Sequence, residues 1–116
     1  MERRSEDSTG CEVGWSAGCV TVSGEIDAAT APVIEQRVRG LLSAGDVVVD
    51  CRAVTFLDVA GLRMFARIGD AAVTTGAVMR LLCSPAVIET FDVCGVRELP
   101  GVVLNPDDHD SPGSLR

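Results

Sequence analysis

Three times along this chain a short run of β-branched or aliphatic residues is preceded by a stretch with helical spacing, and each such stretch opens on a capping signal. Thr30-Ala31-Pro32 predicts the first helix, with a hydroxyl cap and a proline in the opening turn, where its missing N–H does no harm. Ile34, Val38, Leu41 and Leu42 then share one face, and Gly45 stops the helix. Asp58 is the expected N-cap of a second helix that turns Leu62, Phe65, Ala66, Gly69, Ala72 and Val73 inward and ends at Gly76. Ser84-Pro85 opens a third, with Val87, Ile88 and Phe91 inward and an end before Gly95. The intervening runs Val47-Val48-Val49, Val78-Met79-Arg80-Leu81-Leu82 and Val102-Val103-Leu104 read as strands. Strands that alternate with helices pair in parallel through right-handed crossovers, so the pattern predicts an α/β fold.

The N-terminal part lacks helical spacing. Glu12-Val13-Gly14-Trp15 reads as a short edge strand and Gly18-Cys19-Val20-Thr21-Val22-Ser23 as its hairpin partner. The expected order is thus β-β-α-β-α-β-α-β, a small mixed, mostly parallel sheet with helices packed on it. The continuous Val47-Val48-Val49 run predicts a strand covered on both faces. Asp50-Cys51-Arg52-Ala53 reads as a turn after it, and Thr55-Phe56-Leu57 as a further short apolar run. The domain is expected to span residues 11–105, with a frayed polar stretch over 1–10 and a disordered acidic tail over 106–116.

Composition narrows the chemistry. The chain has 116 residues, enough for one domain, and is 47% apolar but only 3% aromatic, so its core must come from Val, Leu, Ile and Ala. No apolar run approaches the ~20 residues of a membrane-spanning helix, and no apolar segment follows Arg3-Arg4, so a cytoplasmic protein that does not engage membrane is expected. A net charge of −7 repels nucleic acid and favours a partner with a basic surface. Every Lys/Arg position is an arginine, which excludes a P-loop or a Schiff-base lysine. The five cysteines (Cys11, Cys19, Cys51, Cys83 and Cys94) form no C-x-x-C pair, and the one histidine, His109, lies in the polar tail. Neither a metal site nor a cofactor is expected, and the thiols read as reduced, small apolar side chains.

Two segments are left over by core packing: Gly24-Glu25-Ile26-Asp27, and Phe56-Leu57-Asp58-Val59-Ala60-Gly61-Leu62. A glycine in a first helical turn costs about 1 kcal/mol relative to alanine. Its bare backbone lets a neighbouring segment or a partner surface come close; on spacing alone, a plain tight strand-to-helix turn explains it equally well.

These segments carry a resemblance. From Cys19 to Leu104 the chain resembles the STAS domain, in particular the bacterial anti-sigma factor antagonists. The matching features are Gly24-Glu25-Ile26-Asp27 followed by Thr30-Ala31-Pro32, the strand ending Val47-Val48-Val49-Asp50, and Phe56-Leu57-Asp58 ahead of Gly61-Leu62. The resemblance implies partner switching: the antagonist binds an anti-sigma factor, typically a serine kinase with a histidine-kinase-like ATPase fold, and so frees a sigma factor. In that family the kinase phosphorylates the residue before the motif glycine, and the added charge and bulk end the contact. Family members also finish with a helix after the last strand, where this chain has Pro106-Asp107-Asp108.

The phosphoacceptor position here is Ala60, preceded by Val59, and neither bears a hydroxyl. Three readings follow: a permanently competent antagonist, control through the thiols Cys51 and Cys83 at one sheet edge, or modification of another hydroxyl, with Thr55 the nearest. The resemblance assigns the partner-facing surface to Asp27, Asp58, Val59, Ala60, Gly61 and Arg63. Asp27 also reads as a turn residue, Thr55 as a strand-edge threonine, and Arg63 as a solvated helical arginine. No catalytic residue is expected: Asp50 and Asp58 are the one conceivable acid–base pair, and nothing around them suggests a substrate pocket. The rival reading is a STAS-type sensor or scaffold for a small ligand. The chain is expected to be a monomer or a weak homodimer.

Overall fold

The structure is a computed structural model that describes residues 4–8, in backbone course only, and 10–106. Its elements run β1 (Arg4–Ser8), β2 (Cys11–Ser16), β3 (Cys19–Ile26), α1 (Ala31–Leu42), β4 (Val47–Leu57), α2 (Val59–Thr75), β5 (Met79–Cys83), α3 (Pro85–Val93) and β6 (Val102–Pro106). All six strands join one sheet in sequence order. The β1–β2 and β2–β3 pairs are antiparallel, and β3–β4, β4–β5 and β5–β6 are parallel. The mixed α/β architecture and the N-terminal hairpin are those expected from the sequence.

Within the stretch expected to be frayed, residues 1–3 and 9 lie outside the described residues, while residues 4–8 form β1, which pairs with β2 from Arg4↔Trp15 to Ser8↔Cys11. That moves β2 from the edge of the sheet to its interior. The expected tail lies outside the described residues beyond Pro106, which itself closes β6.

The sequential strand order decides where the core sits. Each parallel crossover steps to the next strand in the same direction, and a right-handed crossover then lays every helix on the same face. The sheet therefore buries one face only. Val20, Val22, Val47, Val49, Cys51, Met79, Leu81 and Cys83 are buried on it, while Thr21, Val48 and Asp50 are half-buried and Arg80 is exposed. The expectation that Val47-Val48-Val49 would be covered on both faces is overturned, because nothing among the described residues packs over the second face.

Within α1 the inward residues are Ala31, Ile34, Val38 and Leu42, with Leu41 at the margin. In α2 they are Leu62, Met64, Phe65, Ile68, Gly69 and Ala72, and Val73 is exposed, against expectation. The buried face is rotated toward Met64 and Ile68, which leaves Ala66 half-buried and Val73 in water. Gly76 ends it at φ 76°, a left-handed cap that glycine adopts without strain.

The polar run 50–53 is not a turn. β4 is one continuous strand of 11 residues, and its inward positions are Val47, Val49, Cys51, Val54 and Leu57. Register with β3 slips between Thr21 and Ser23 and again between Gly24 and Glu25. Asp50 and Arg52 turn away from the helices by plain alternation with Val49 and Cys51 and so mimic a turn in sequence, while the bulges stretch the inward spacing beyond Cys51 from two residues to three and bring Val54 inward.

Two carboxylates carry ion pairs on this frame. Glu35 on α1 accepts from Arg67 of α2 at 2.8 Å and from Arg39 at 2.9 Å. The Arg67 guanidinium, with Arg39 beside it, holds the Glu35 carboxyl below the usual carboxylate range. Arg52 does the same for Asp50, through bonds of 2.8 and 2.9 Å. A depressed folded-state pKa gives stability that is present above the unfolded value near pH 4 and lost as pH falls through the lower folded value. The arginines are solvated, so each pair is worth about 1 kcal/mol or less. Urea midpoints should therefore drop modestly from pH 6 to pH 3, and Glu35→Gln should shrink that drop; an unchanged drop would remove Glu35 as its source.

Candidate functional site

The parallel register Ile26↔Leu57 sets the C-terminal ends of β3 and β4 side by side, so Asp27 and Asp58 leave the sheet as neighbours. Asp58 donates its N–H to the Ile26 carbonyl at 3.1 Å, which ties the two exits together.

Asp58 caps α2: its extended backbone and a carboxylate bond from the Gly61 N–H at 3.0 Å are as expected from sequence. Gly61 is buried, and an added Cβ would collide with the Leu57 side chain and come within 2.8 Å of Ile26 Cγ2. The bare glycine thus lets the first turn of α2 sit down on the ends of β3 and β4. Its closest neighbours are this chain's own Leu57 and Ile26, so internal packing already accounts for the glycine.

The α1 entry is built differently from its expected plan. Thr30 occupies the N-cap position without making a side-chain cap bond. Fully buried, its hydroxyl accepts from the Asp27 N–H at 2.9 Å and donates to the Glu25 carbonyl at 3.1 Å. Asp27 Oδ1 in turn accepts from the N–H groups of Ala29 at 2.9 Å and Thr30 at 3.1 Å. One oxygen of Asp27 is therefore occupied in holding its own turn. Upstream, Gly24 has φ 95°, and a Cβ there would strike the Gly10 carbonyl, which accepts from the Glu25 N–H at 2.7 Å. Only glycine serves this crossing.

Beyond that scaffold the corner is apolar. Val59 is 47% exposed and Ala60 half-buried, and both stand in the first turn of α2 with Arg63 exposed one turn on. Thr55 is exposed, and its hydroxyl donates to the Gly24 carbonyl at 3.3 Å. Beside the corner lies a groove of ≈ 400 Å³ between the end of β4, the start of α2 and the outer side of α3. Phe56, 48% exposed, and Val93, 79% exposed, line it with Val59. Sequence reading missed Val93 and Ala86; the available signal was an apolar Val93 lying off the inward face set by Val87 and Phe91.

The groove exists because β4 outruns β5. Past Cys51↔Cys83 the strand has β3 on one side and no strand on the other. On that side, α3 supplies hydroxyls: Ser84 donates to the Val54 carbonyl and Thr90 to the Leu57 carbonyl, each at 2.7 Å. Ser84 also caps α3 by accepting from the Val87 N–H at 3.3 Å.

Other candidates are placed apart. Asp50 faces the helix-free side of the sheet in its pair with Arg52, well up the strand from Asp58. Cys51 and Cys83 are direct partners across β4 and β5, inside the strands rather than beyond them. Both are fully buried, and burial pushes the Cys51 thiol well up and Cys83 to about 11. A thiolate is the reactive form, so these positions favour packing over thiol chemistry. Iodoacetamide at pH 8 should label exposed Cys94 readily and leave Cys51 and Cys83 unlabelled until urea is added. Rapid native labelling of either would return the pair to consideration as a switch.

No described helix is long and apolar enough to cross a membrane. Among curated proteins none matches the chain significantly. A solved anti-sigma factor antagonist from Mycobacterium paratuberculosis is similar to it at 28% identity and TM-score 0.63, over 99% of this chain and 93% of that one. The anti-sigma factor antagonist SpoIIAA, in its unphosphorylated form, shares the fold at TM-score 0.58 and 14% identity, over 98% and 96% of the two chains. The STAS domain family model matches residues 11–109. With the sheet, the helix order and the Asp58–Gly61 turn in place, the chain belongs to the STAS domain family.

Proposed function

We propose that this chain is an anti-sigma factor antagonist that binds an anti-sigma factor of the kinase-like ATPase class and so frees a sigma factor for transcription. The contact surface is the corner formed by Asp27, Asp58, Val59, Ala60, Gly61 and Arg63, and the phosphorylation switch of the family is missing because Ala60 holds the acceptor position.

The observation that carries this reading is the uncharged Val59–Ala60 turn, with Val59 exposed and Ala60 half-buried, seated on the strand ends by Gly61 and Asp58. A dry protein contact requires such a surface, and a phosphoryl group there would bring about −1.5 to −2 charges into it. The Mycobacterium relative supports the same role. A non-enzymatic action fits the polar groups at the corner: the Asp58 carboxylate and the Thr30 hydroxyl are engaged in holding backbone.

The test is a calorimetric titration of the purified chain with purified kinase-fold anti-sigma factors of the same cell, with and without ATP. Stoichiometric binding that ATP does not weaken is the expected result. Binding by none of them overturns the proposal. The groove volume also falls within the range of small-molecule sites; a bound metabolite with no protein partner would favour the sensor instead.

A further inference from the structure

We propose that the groove between the end of β4, the start of α2 and α3 is a second docking point, and that it takes an apolar side chain of the anti-sigma factor flanked by arginine or lysine. This rests on the function proposed above and adds the chemistry of the partner.

Phe56, Val59 and Val93 are three of the largest exposed apolar side chains in the described structure, and they converge on one groove. Their exposure has a structural origin: Phe56 alternates with inward Leu57 at the end of β4, past the last residue that β5 pairs, and Val93 at the end of α3 lines the same groove. Contiguous apolar surface of this kind marks interaction sites more often than scattered single residues do. The edge of β4 does not invite strand addition, because Ser84 and Thr90 already donate to its Val54 and Leu57 carbonyls. Side chains, rather than backbone, must therefore make the contact.

Charge selects the occupant. The two charged residues that line the groove, Asp58 and Glu89, are both acidic. The nearby Arg52 is held by Asp50. Two carboxylates thus line the groove beside three apolar side chains, on a chain of net charge −7. A second copy would bring the same carboxylates against these and be repelled. An apolar anchor with basic neighbours satisfies both parts of the surface, as a hydrophobic centre with a charged rim does at other interfaces.

The experiment titrates an anti-sigma factor bound by the wild-type chain with Val93→Glu and Glu89→Arg, each at low and high salt. Both side chains are exposed, so thermal melts should match the wild type. Each variant should bind at least about tenfold more weakly, and wild-type affinity should fall as salt rises. Wild-type affinity in Val93→Glu, or a salt-independent wild type, overturns this inference while leaving the proposed function standing. A wild-type chain that sediments as a dimer and loses it with Val93→Glu assigns the groove to a second copy and also overturns it. If the wild type binds no anti-sigma factor, the proposed function falls first and this contact with it.

Discussion

Ala60→Asp is expected to keep the fold and weaken anti-sigma factor binding about a hundredfold or more. Ala60 lies in the first turn of α2, where unpaired N–H groups and the helix dipole favour an acidic side chain by a few tenths of a kcal/mol to about 1. The variant should therefore melt no lower than the wild type. At a dry contact the same carboxylate must shed water against an apolar face, a cost of about 2–5 kcal/mol, and each 1.4 kcal/mol is a factor of ten. The second term is several times the first, so binding changes and stability does not. Circular dichroism and calorimetry measure the two separately. Equal affinity of Ala60→Asp and wild type would remove this turn from the contact surface. Ala60→Ser, which restores a hydroxyl, should take up phosphate from ATP in the presence of a kinase-active partner, whereas the wild type should not be labelled at residue 60.

Phe65→Ala should have the opposite profile and cost about 3–5 kcal/mol of stability. Phe65 is wholly buried on the inward stripe of α2 and, with Phe91, is one of the largest side chains in a core made mostly of aliphatic residues. The surrounding core relaxes only partly into the space such a deletion leaves. Small domains hold about 5–15 kcal/mol in total, so this loss is a large share. Val59→Ala, by contrast, removes a half-exposed side chain and should cost under about 1 kcal/mol. Urea unfolding of the pair gives the comparison. A cost below about 1 kcal/mol for Phe65→Ala would mean that α2 is not seated on the sheet as described. Because Val59 and Ala60 ride on that helix, partner affinity in Phe65→Ala should fall only by the fraction of chains unfolded.

Much of the candidate site was legible in the chain itself. Asp58 as a cap, Ser84-Pro85 as a helix start and Gly76 as a stop are local signals, and each is read from a few neighbouring residues. The groove was not legible. Phe56 stands in an apolar run that looks like core, and it stays in water because it alternates with inward Leu57 at a strand end where α3, rather than a further strand, stands beside β4. Thr30 has the chemistry of a cap, yet its hydroxyl is drawn to Asp27 and Glu25 by a turn whose course depends on β3.

The amino-acid order alone therefore determined the alternation of strands and helices, the helix boundaries set by caps and glycines, and the Ala60 substitution at the acceptor position. Those depend on interactions within a turn or two of chain. Tertiary structure alone decided that one face of the sheet is left bare by the described residues, that β1 joins the sheet, and which apolar side chains remain in water. Each of these follows from how distant strands pair and how every crossover repeats the same hand, and a local pattern of side chains carries no record of either.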